Sequence, residues 1–440
     1  MPRRVPAGLS RPSVAMLPEM TRLTYRITGG HRLEGRVRVG GSKNGADYAI
    51  AAALLSPRDV VLTNVPDIGD VRQMEEILAS LGATVEHVEP GTLRINASEL
   101  CKWRVEPTLA VKLRASFLVM GPLLARMGRA SCPPPGGDAI GIRPLDVHLA
   151  GFRSLGVTIH EDGDAFDAHI DGRLRGARVV LDYPSVMGTL NVMLAATLAE
   201  GTTVIVNAAS EPEIQSLAAM LNAMGANISG AGTQFMRIEG VRELGGCEHR
   251  VIADRLEAGT FALAAAITRG DVVVEGAVPE HLDALIWKLR EAGVTVDLTD
   301  AGMRVRGGDA HYRAVNAQAL PYPGLATDLQ PQLAAFLTQA DGASTIHERV
   351  YDNRLLYINE LRKMGANVVA TSGQTAIIAG PTRLHGAPVQ ALDVRAGSAC
   401  VLAGLAAEGT TLVHDVHHIE RAHEDLHGKL RALGAEIERV

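Results

Sequence analysis

One short phrase recurs six times along the chain and limits the folds open to it. It reads SLGATV around Gly82, SLGVTI around Gly156, AMGANI around Gly225, EAGVTV around Gly293, KMGANV around Gly365 and ALGAEI around Gly434. Successive glycines lie 74, 69, 68, 72 and 69 residues apart. Each phrase reads as the end of an amphipathic helix, a glycine in the left-handed C′ position and a following strand. In the first copy Met74, Ile77, Leu78 and Leu81 recur at i, i+3, i+4 and i+7, which predicts a helix over Val71–Leu81 with one apolar face. Upstream, Leu198–Ala208 and Leu405–Val416 repeat a small-residue helix running into a strand. The unit is therefore α/β, roughly seventy residues long, and longer than the roughly 20–50 residues of solenoid repeats. Six such units are expected to close as two lobes of three, which also suits the usual domain size.

The chain has 440 residues, 47% of them apolar and 21% charged, as in a globular protein. Its 43 basic and 49 acidic side chains leave a formal −6, so nothing global attracts nucleic acid or an anionic membrane. Anion binding must come from locally placed Lys and Arg. Cys101, Cys132, Cys247 and Cys400 are far apart, with neither C-x-x-C spacing nor a disulfide pattern, which fits a reduced cytoplasm. Residues 1–20 lack the apolar stretch of a secretory signal and are expected to form a disordered extension. No apolar run reaches the roughly 18–20 residues that span a bilayer.

Several basic residues lie in glycine-rich or loop-like contexts: Lys43 beside Asn44 in GGSKNGAD, Arg114 in VKLRASF, Arg143 in PPPGGDAIGIRPLDVH, then Arg354, Arg395 and Arg421. Glycine-rich backbone lets amides approach an anion, and guanidinium or ammonium groups supply charge, so their convergence would make a phosphate and carboxylate site. Taken singly, each is also an ordinary solvated charge. GGSKNG has the spacing of neither a P-loop nor a dinucleotide-binding loop. Asp138, at the tip of PPPGGDAIG, is either a general acid or an exposed turn residue. His423 to His427 matches H-E-x-x-H, which on a helix would offer two imidazoles to zinc. Leu426, Leu430 and Leu433 form an ordinary core stripe in the same stretch, so no metal site is expected.

In order and wording these segments resemble the enolpyruvyl transferases, and among them the UDP-N-acetylglucosamine 1-carboxyvinyltransferases. GSKN, LRAS, PGG-x-x-IG-x-RP-x-D-x-H, AATLAEGTT, EPEI, TDLQ-x-Q, NR, D-x-RA and KLRALGA-x-IERV occur in family order from about Tyr25 to Val440. The resemblance implies a two-lobed inside-out α/β barrel of six repeated units in two pseudo-threefold domains. The lobes would be residues 43–250 and, discontinuously, 21–42 with 251–440.

The implied reaction is attack of the sugar 3-hydroxyl on C2 of phosphoenolpyruvate with protonation of C3, then loss of phosphate from a tetrahedral ketal, the first committed step of peptidoglycan synthesis. No cofactor is implied. Lys43, Arg143 and Arg421 would hold phosphate, Arg354 and Arg395 would lie near the pyruvyl carboxylate, and Asn44 would orient substrate. Asp328 is the implied base and Asp138 the acid. Arg114, Arg143, Pro144, Leu145, Asp146, Val147, Tyr183, Pro184, Ser185, Val186, Asp328 and Val350 would line the UDP-sugar. The partners implied are these two small molecules, the chain being a monomer or weak oligomer.

Two departures from the family pattern stand out. Most relatives carry cysteine at the loop tip where this chain has Asp138, an aspartate variant that implies resistance to the thiol-alkylating epoxide fosfomycin. Many relatives carry Lys where Tyr183 stands and Gly where Met187 stands, which leaves a paralogue using another uridine nucleotide as the alternative. A zinc hydrolase and a catalytically silent nucleotide-sugar binder are the rival classes, and neither accounts for the shared phrase order.

Overall fold

A computed structural model describes residues 23–440 except 139, 142, 162, 309 and 310, and omits the side chain of Ser372; the expected extension at 1–20 lies outside the described residues. The strands form five four-stranded sheets and one three-stranded sheet among the described residues, one per repeated phrase. All six phrase glycines hold positive φ, from 89° at Gly365 to 107° at Gly82, the left-handed conformation that ends a helix with little penalty only in glycine.

The first five units share one order, a buried helix, a strand, a second amphipathic helix and a hairpin, and in the sixth the strand Thr24–Thr28 takes the place of one hairpin strand. In the first unit these are Lys43–Ala53, Val60–Thr63, Gly69–Leu81 and the hairpin of Thr84–Glu89 with Thr92–Asn96. The second helix begins two residues before the predicted Val71, and Asp70 in its first turn suits the positive end of the helix dipole. Met74, Ile77, Leu78 and Leu81 are fully buried, as their spacing requires.

The first helix of each unit is apolar on almost every side and therefore sits inside, while the sheets lie outside with alternating exposed residues. In Arg255–Ile267 every residue from Leu256 onward is buried, and Val394–Ala406 is buried from Val394 to Leu405. Ser42, Ser185, Asp254 and Asp393 cap four of these helices by accepting backbone N–H bonds.

Buried apolar side chains gather in two clusters. One runs from Ala46 to Val251; the other combines Tyr25–Val39 with Leu256–Ile437. The chain crosses between them twice, at 39–43 and 250–254, and the crossings bond to each other: Ser42 N donates to Ile252 O at 2.7 Å and Asp254 N to Gly40 O at 3.0 Å. Strand Thr24–Thr28 pairs with Thr410–His414 and with Glu436–Arg439. Strand Glu34–Arg38 pairs with Asp271–Glu275, and Cys247–Arg250 returns to Val60–Thr63. No helix among the described residues is long and apolar enough to cross a membrane.

Candidate active site

The expected site residues come from two kinds of position, the N-terminal ends of the buried helices and the loops that leave each unit's first strand. Lys43 opens the helix Lys43–Ala53, Asp328 stands just before Gln330–Leu337, and Arg395 is the second residue of Val394–Ala406. Asp138 and Arg143 lie between Arg129–Cys132 and Asp146–Ser154, while Arg421 follows His417–Glu420. Several of these positions are helix N-termini, where the partial positive charge of the helix end favours anions.

Two ionic groups form there. In the first, Asp70 accepts Lys43 Nζ at 2.9 Å and Arg421 Nε at 2.7 Å, and Arg421 Nη1 lies 3.6 Å from Asp138 Oδ1. Lys43 Nζ also lies 3.4 Å from Asp47 Oδ2, one helical turn on. Burial works against the Lys43 ammonium, but Asp70 and Asp47 outweigh it and raise its pKa. At Asp70 burial is likewise outweighed by Lys43 and Arg421, which lower its pKa. Asp47 has no such compensation: burial pushes it up to about 7 despite Lys43.

In the second group, Arg395 Nε donates to Asp328 Oδ2 and Arg354 Nη2 to Asp328 Oδ1, both at 3.1 Å. Burial would raise the Asp328 pKa, yet Arg395 and Arg354 together bring it down to about 2. His423 Nε2 lies 3.3 Å from Arg395 Nη1. A guanidinium only donates, so the imidazole accepts and is neutral. Burial, then Arg395, lower its pKa to about 3.

The loop around Asp138 is folded by its own arginines. Arg143 Nη2 donates to Asp138 O at 3.0 Å, and Arg114 Nη2 donates to the carbonyl of Arg143. Burial and the neighbouring Arg143 lower the Arg114 pKa to about 10. Across the cleft Gly141 meets Asp352 so closely that a Cβ on it would lie 2.1 Å from Asp352 Oδ1. Arg421 Nη2 reaches Lys112 O at 3.3 Å and Asp67 N donates to Glu424 Oε1 at 3.0 Å, so the two bodies touch.

Further along, Tyr183 donates its hydroxyl to Asp146 Oδ1 at 3.1 Å, and burial with this bond raises its pKa to about 12. Pro144 and Leu145 lead into the helix Asp146–Ser154 that contains Val147, and Pro184 and Ser185 lead into Val186–Thr197. Val350 is 38% exposed, with its N–H on Glu348 Oε1. Asn44 follows Lys43 on the same helix.

The H-E-x-x-H run does not lie on one helix. Asp425 at φ 51° separates His417–Glu420 from Leu426–Ala432, so His423 lies outside the latter and loses the i, i+4 relation to His427 that zinc needs. Asp47, Asp70 and Asp393 were not singled out by sequence, and His423 only through its zinc-like spelling, although all of them contact the site's cations. The hydrophobic pattern of Gly69–Leu81 does place Asp70 in a helix first turn, but nothing local announces its partners.

The profile of the family described as EPSP synthase (3-phosphoshikimate 1-carboxyvinyltransferase) matches residues 27–430. A UDP-N-acetylglucosamine 1-carboxyvinyltransferase 1 of Halalkalibacterium halodurans is 50% identical over 94% of both chains. Another of that name, from Symbiobacterium thermophilum, is 48% identical over 99% of both. Among solved structures, the enolpyruvyl transferase NikO from Streptomyces tendae superposes with a TM-score of 0.85 at 25% identity, over 95% of this chain and 99% of that one. An EPSP synthase from Acinetobacter baumannii, at 19% identity and a TM-score of 0.75 over 95% of this chain and 100% of that one, shares the fold.

Proposed function

The chain belongs to the enolpyruvyl transferase family, within its UDP-N-acetylglucosamine 1-carboxyvinyltransferase branch, and we propose that it transfers the enolpyruvyl group of phosphoenolpyruvate to the 3-hydroxyl of UDP-N-acetylglucosamine with release of phosphate. The observation that carries this reading is the pair of ionic groups, Lys43 with Arg421 and Arg354 with Arg395, drawn from both bodies around Asp138 and Asp328. Two separated pairs of cations suit a ligand with a phosphate at one end and a carboxylate at the other.

Without ligand, the cations rest on Asp70 and Asp328. Phosphate takes Lys43 and Arg421, with Arg143 in support, while the pyruvyl carboxylate competes with Asp328 for Arg354 and Arg395. Asp328, relieved of the guanidiniums that hold its pKa near 2, then accepts the proton of the 3-hydroxyl as the oxygen attacks C2. Asp138 gives its proton to C3. The tetrahedral ketal collapses when a proton leaves C3 and the C2–O bond to phosphate breaks, which restores the double bond. Asn44 orients the reacting groups. Arg114, Arg143 to Val147, Tyr183 to Val186 and Val350 line the nucleotide sugar.

The bodies work as lobes, residues 43–250 and 21–42 with 251–440, which close on the substrates and exclude water before the ketal forms. The reaction opens peptidoglycan synthesis in the cytoplasm. Phosphate release from phosphoenolpyruvate, measured with UDP-N-acetylglucosamine, UMP and shikimate 3-phosphate, tests the proposal. Turnover with UDP-N-acetylglucosamine alone is expected; turnover only with either of the others overturns it.

A further inference from the structure

We propose that Asp47 takes up a proton from solvent when a phosphate-bearing ligand binds at Lys43 and Arg421, so that anion binding is coupled to protonation of a buried carboxyl behind the site. The inference rests on the reading that those two cations hold a phosphate.

The geometry leaves Asp47 in an unusual position. Its residue is 1% exposed, and neither carboxylate oxygen accepts a hydrogen bond among the described residues. Lys43 Nζ approaches at 3.4 Å but is committed to Asp70 at 2.9 Å. The charges acting on Asp47 are Lys43 from its own helix, Asp70 from Gly69–Leu81 and Arg421 from the turn after His417–Glu420. Of the other elements packed on this helix, Pro212–Ala223 commits Glu213 to Arg255 Nε at 2.9 Å, and the turn Arg114–Val119 sends Arg114 to the carbonyl of Arg143.

With both acids ionised, Lys43, Arg421, Asp47 and Asp70 sum to zero charge. A phosphate therefore adds its full negative charge to a neutral, largely buried cluster, an arrangement relieved by gaining a proton. Asp70 is a poor recipient, because it accepts bonds from both Lys43 and Arg421 and its pKa is lowered. Asp138 lies outside this set of four and meets Arg421 at 3.6 Å. Asp47 has only the 3.4 Å approach of Lys43 to lose, and burial already brings it to about 7. The proton moves from solvent to a carboxylate oxygen, and no other bond changes.

Calorimetric titration of the full chain with phosphoenolpyruvate, in two buffers of different ionisation heat, reads the protons taken up. The ligand's own protonation is common to wild type and Asp47→Asn, so their difference isolates Asp47. That difference is expected at about half a proton per ligand at pH 7, approaching one near pH 8 and vanishing by pH 5. Asp47→Leu, which fills the site without a charge, should behave as Asp47→Asn does and controls for lost folding. Binding with equal uptake in wild type and either variant overturns the coupling alone. Absence of any binding to wild type overturns the anion-site reading with it.

Discussion

Arg395 donates through Nε to Asp328 Oδ2 at 3.1 Å, and this contact ties the N-terminus of one buried helix to the residue just ahead of another. Arg354 takes the other oxygen at the same distance and also lies 3.7 Å from Asp393 Oδ1, so two guanidiniums face two carboxylates. The site's positive charge thus rests on its own acids.

Asp328→Ala leaves Arg354 and Arg395, 3% and 5% exposed, without their shared counter-ion. A stability loss of about 3–5 kcal/mol is expected, read from urea unfolding. Asp328→Asn keeps the shape and a hydrogen-bond acceptor, so it should cost less stability yet lower kcat by about 10²–10⁴, as loss of a general base does.

Asp138→Asn removes a transferable proton and should lower turnover by about 10²–10⁴ with little change in unfolding midpoint. Asp138→Cys should keep activity and become sensitive to fosfomycin, because only a thiolate is alkylated by the epoxide. Wild type should be unaffected by the drug, and irreversible inactivation of the wild type would show that alkylation does not require a thiol at this position.

His423→Phe takes away the neutral acceptor 3.3 Å from Arg395. The freed guanidinium loses one of its two fixed directions, so KM for phosphoenolpyruvate should rise about tenfold while the affinity for UDP-N-acetylglucosamine stays unchanged. A charged-to-neutral hydrogen bond is worth about 1.5–3 kcal/mol. His423→Gln, which keeps an acceptor, should recover most of the loss. An equal fall for both substrates would assign His423 to packing instead.

Stability should depend on pH in opposite senses at two acids. Asp47 has a folded pKa of about 7 against an ordinary 3.8, so its contribution is whole below about pH 4 and is lost as pH rises through 7. Asp328, held at about 2, contributes above pH 3.8 and loses that contribution as pH falls through 2. Unfolding midpoints at pH 5 and pH 8 should therefore diverge less in Asp47→Asn than in wild type.

The repeats were legible in the sequence because the left-handed φ at Gly82 and its five counterparts is a local demand met within a few residues. The helix carrying Leu426, Leu430 and Leu433 was legible for the same reason, through its spacing. Its boundary was not: Asp425 adopts φ 51°, which no periodicity marks, and a metal-like spelling spans the break. The cations Lys43, Arg354, Arg395 and Arg421 stood out through their loop contexts and the resemblance. Of their acids Asp328 stood out through the resemblance, but the others did not, because Asp70 and Asp393 look like ordinary helix-start residues, and Asp47 is an acid in the middle of a small-residue helix. What makes them part of the site is contact across units, between residues such as Asp70 and Arg421 that lie 351 positions apart.

Strand Thr24–Thr28 lies between two strands near the other end of the chain, with Arg26 and Glu438 paired across 412 positions. A ribosome makes that strand long before its neighbours exist. Residues 46–251 hold every member of their own core and can collapse as soon as they emerge. Strand Thr24–Thr28 must meanwhile wait, with unpaired edges, until Thr410–His414 and Glu436–Arg439 arrive. The lobe finished last is thus the one begun first, and delay in translating the final unit would prolong the interval in which this protein is most exposed to aggregation.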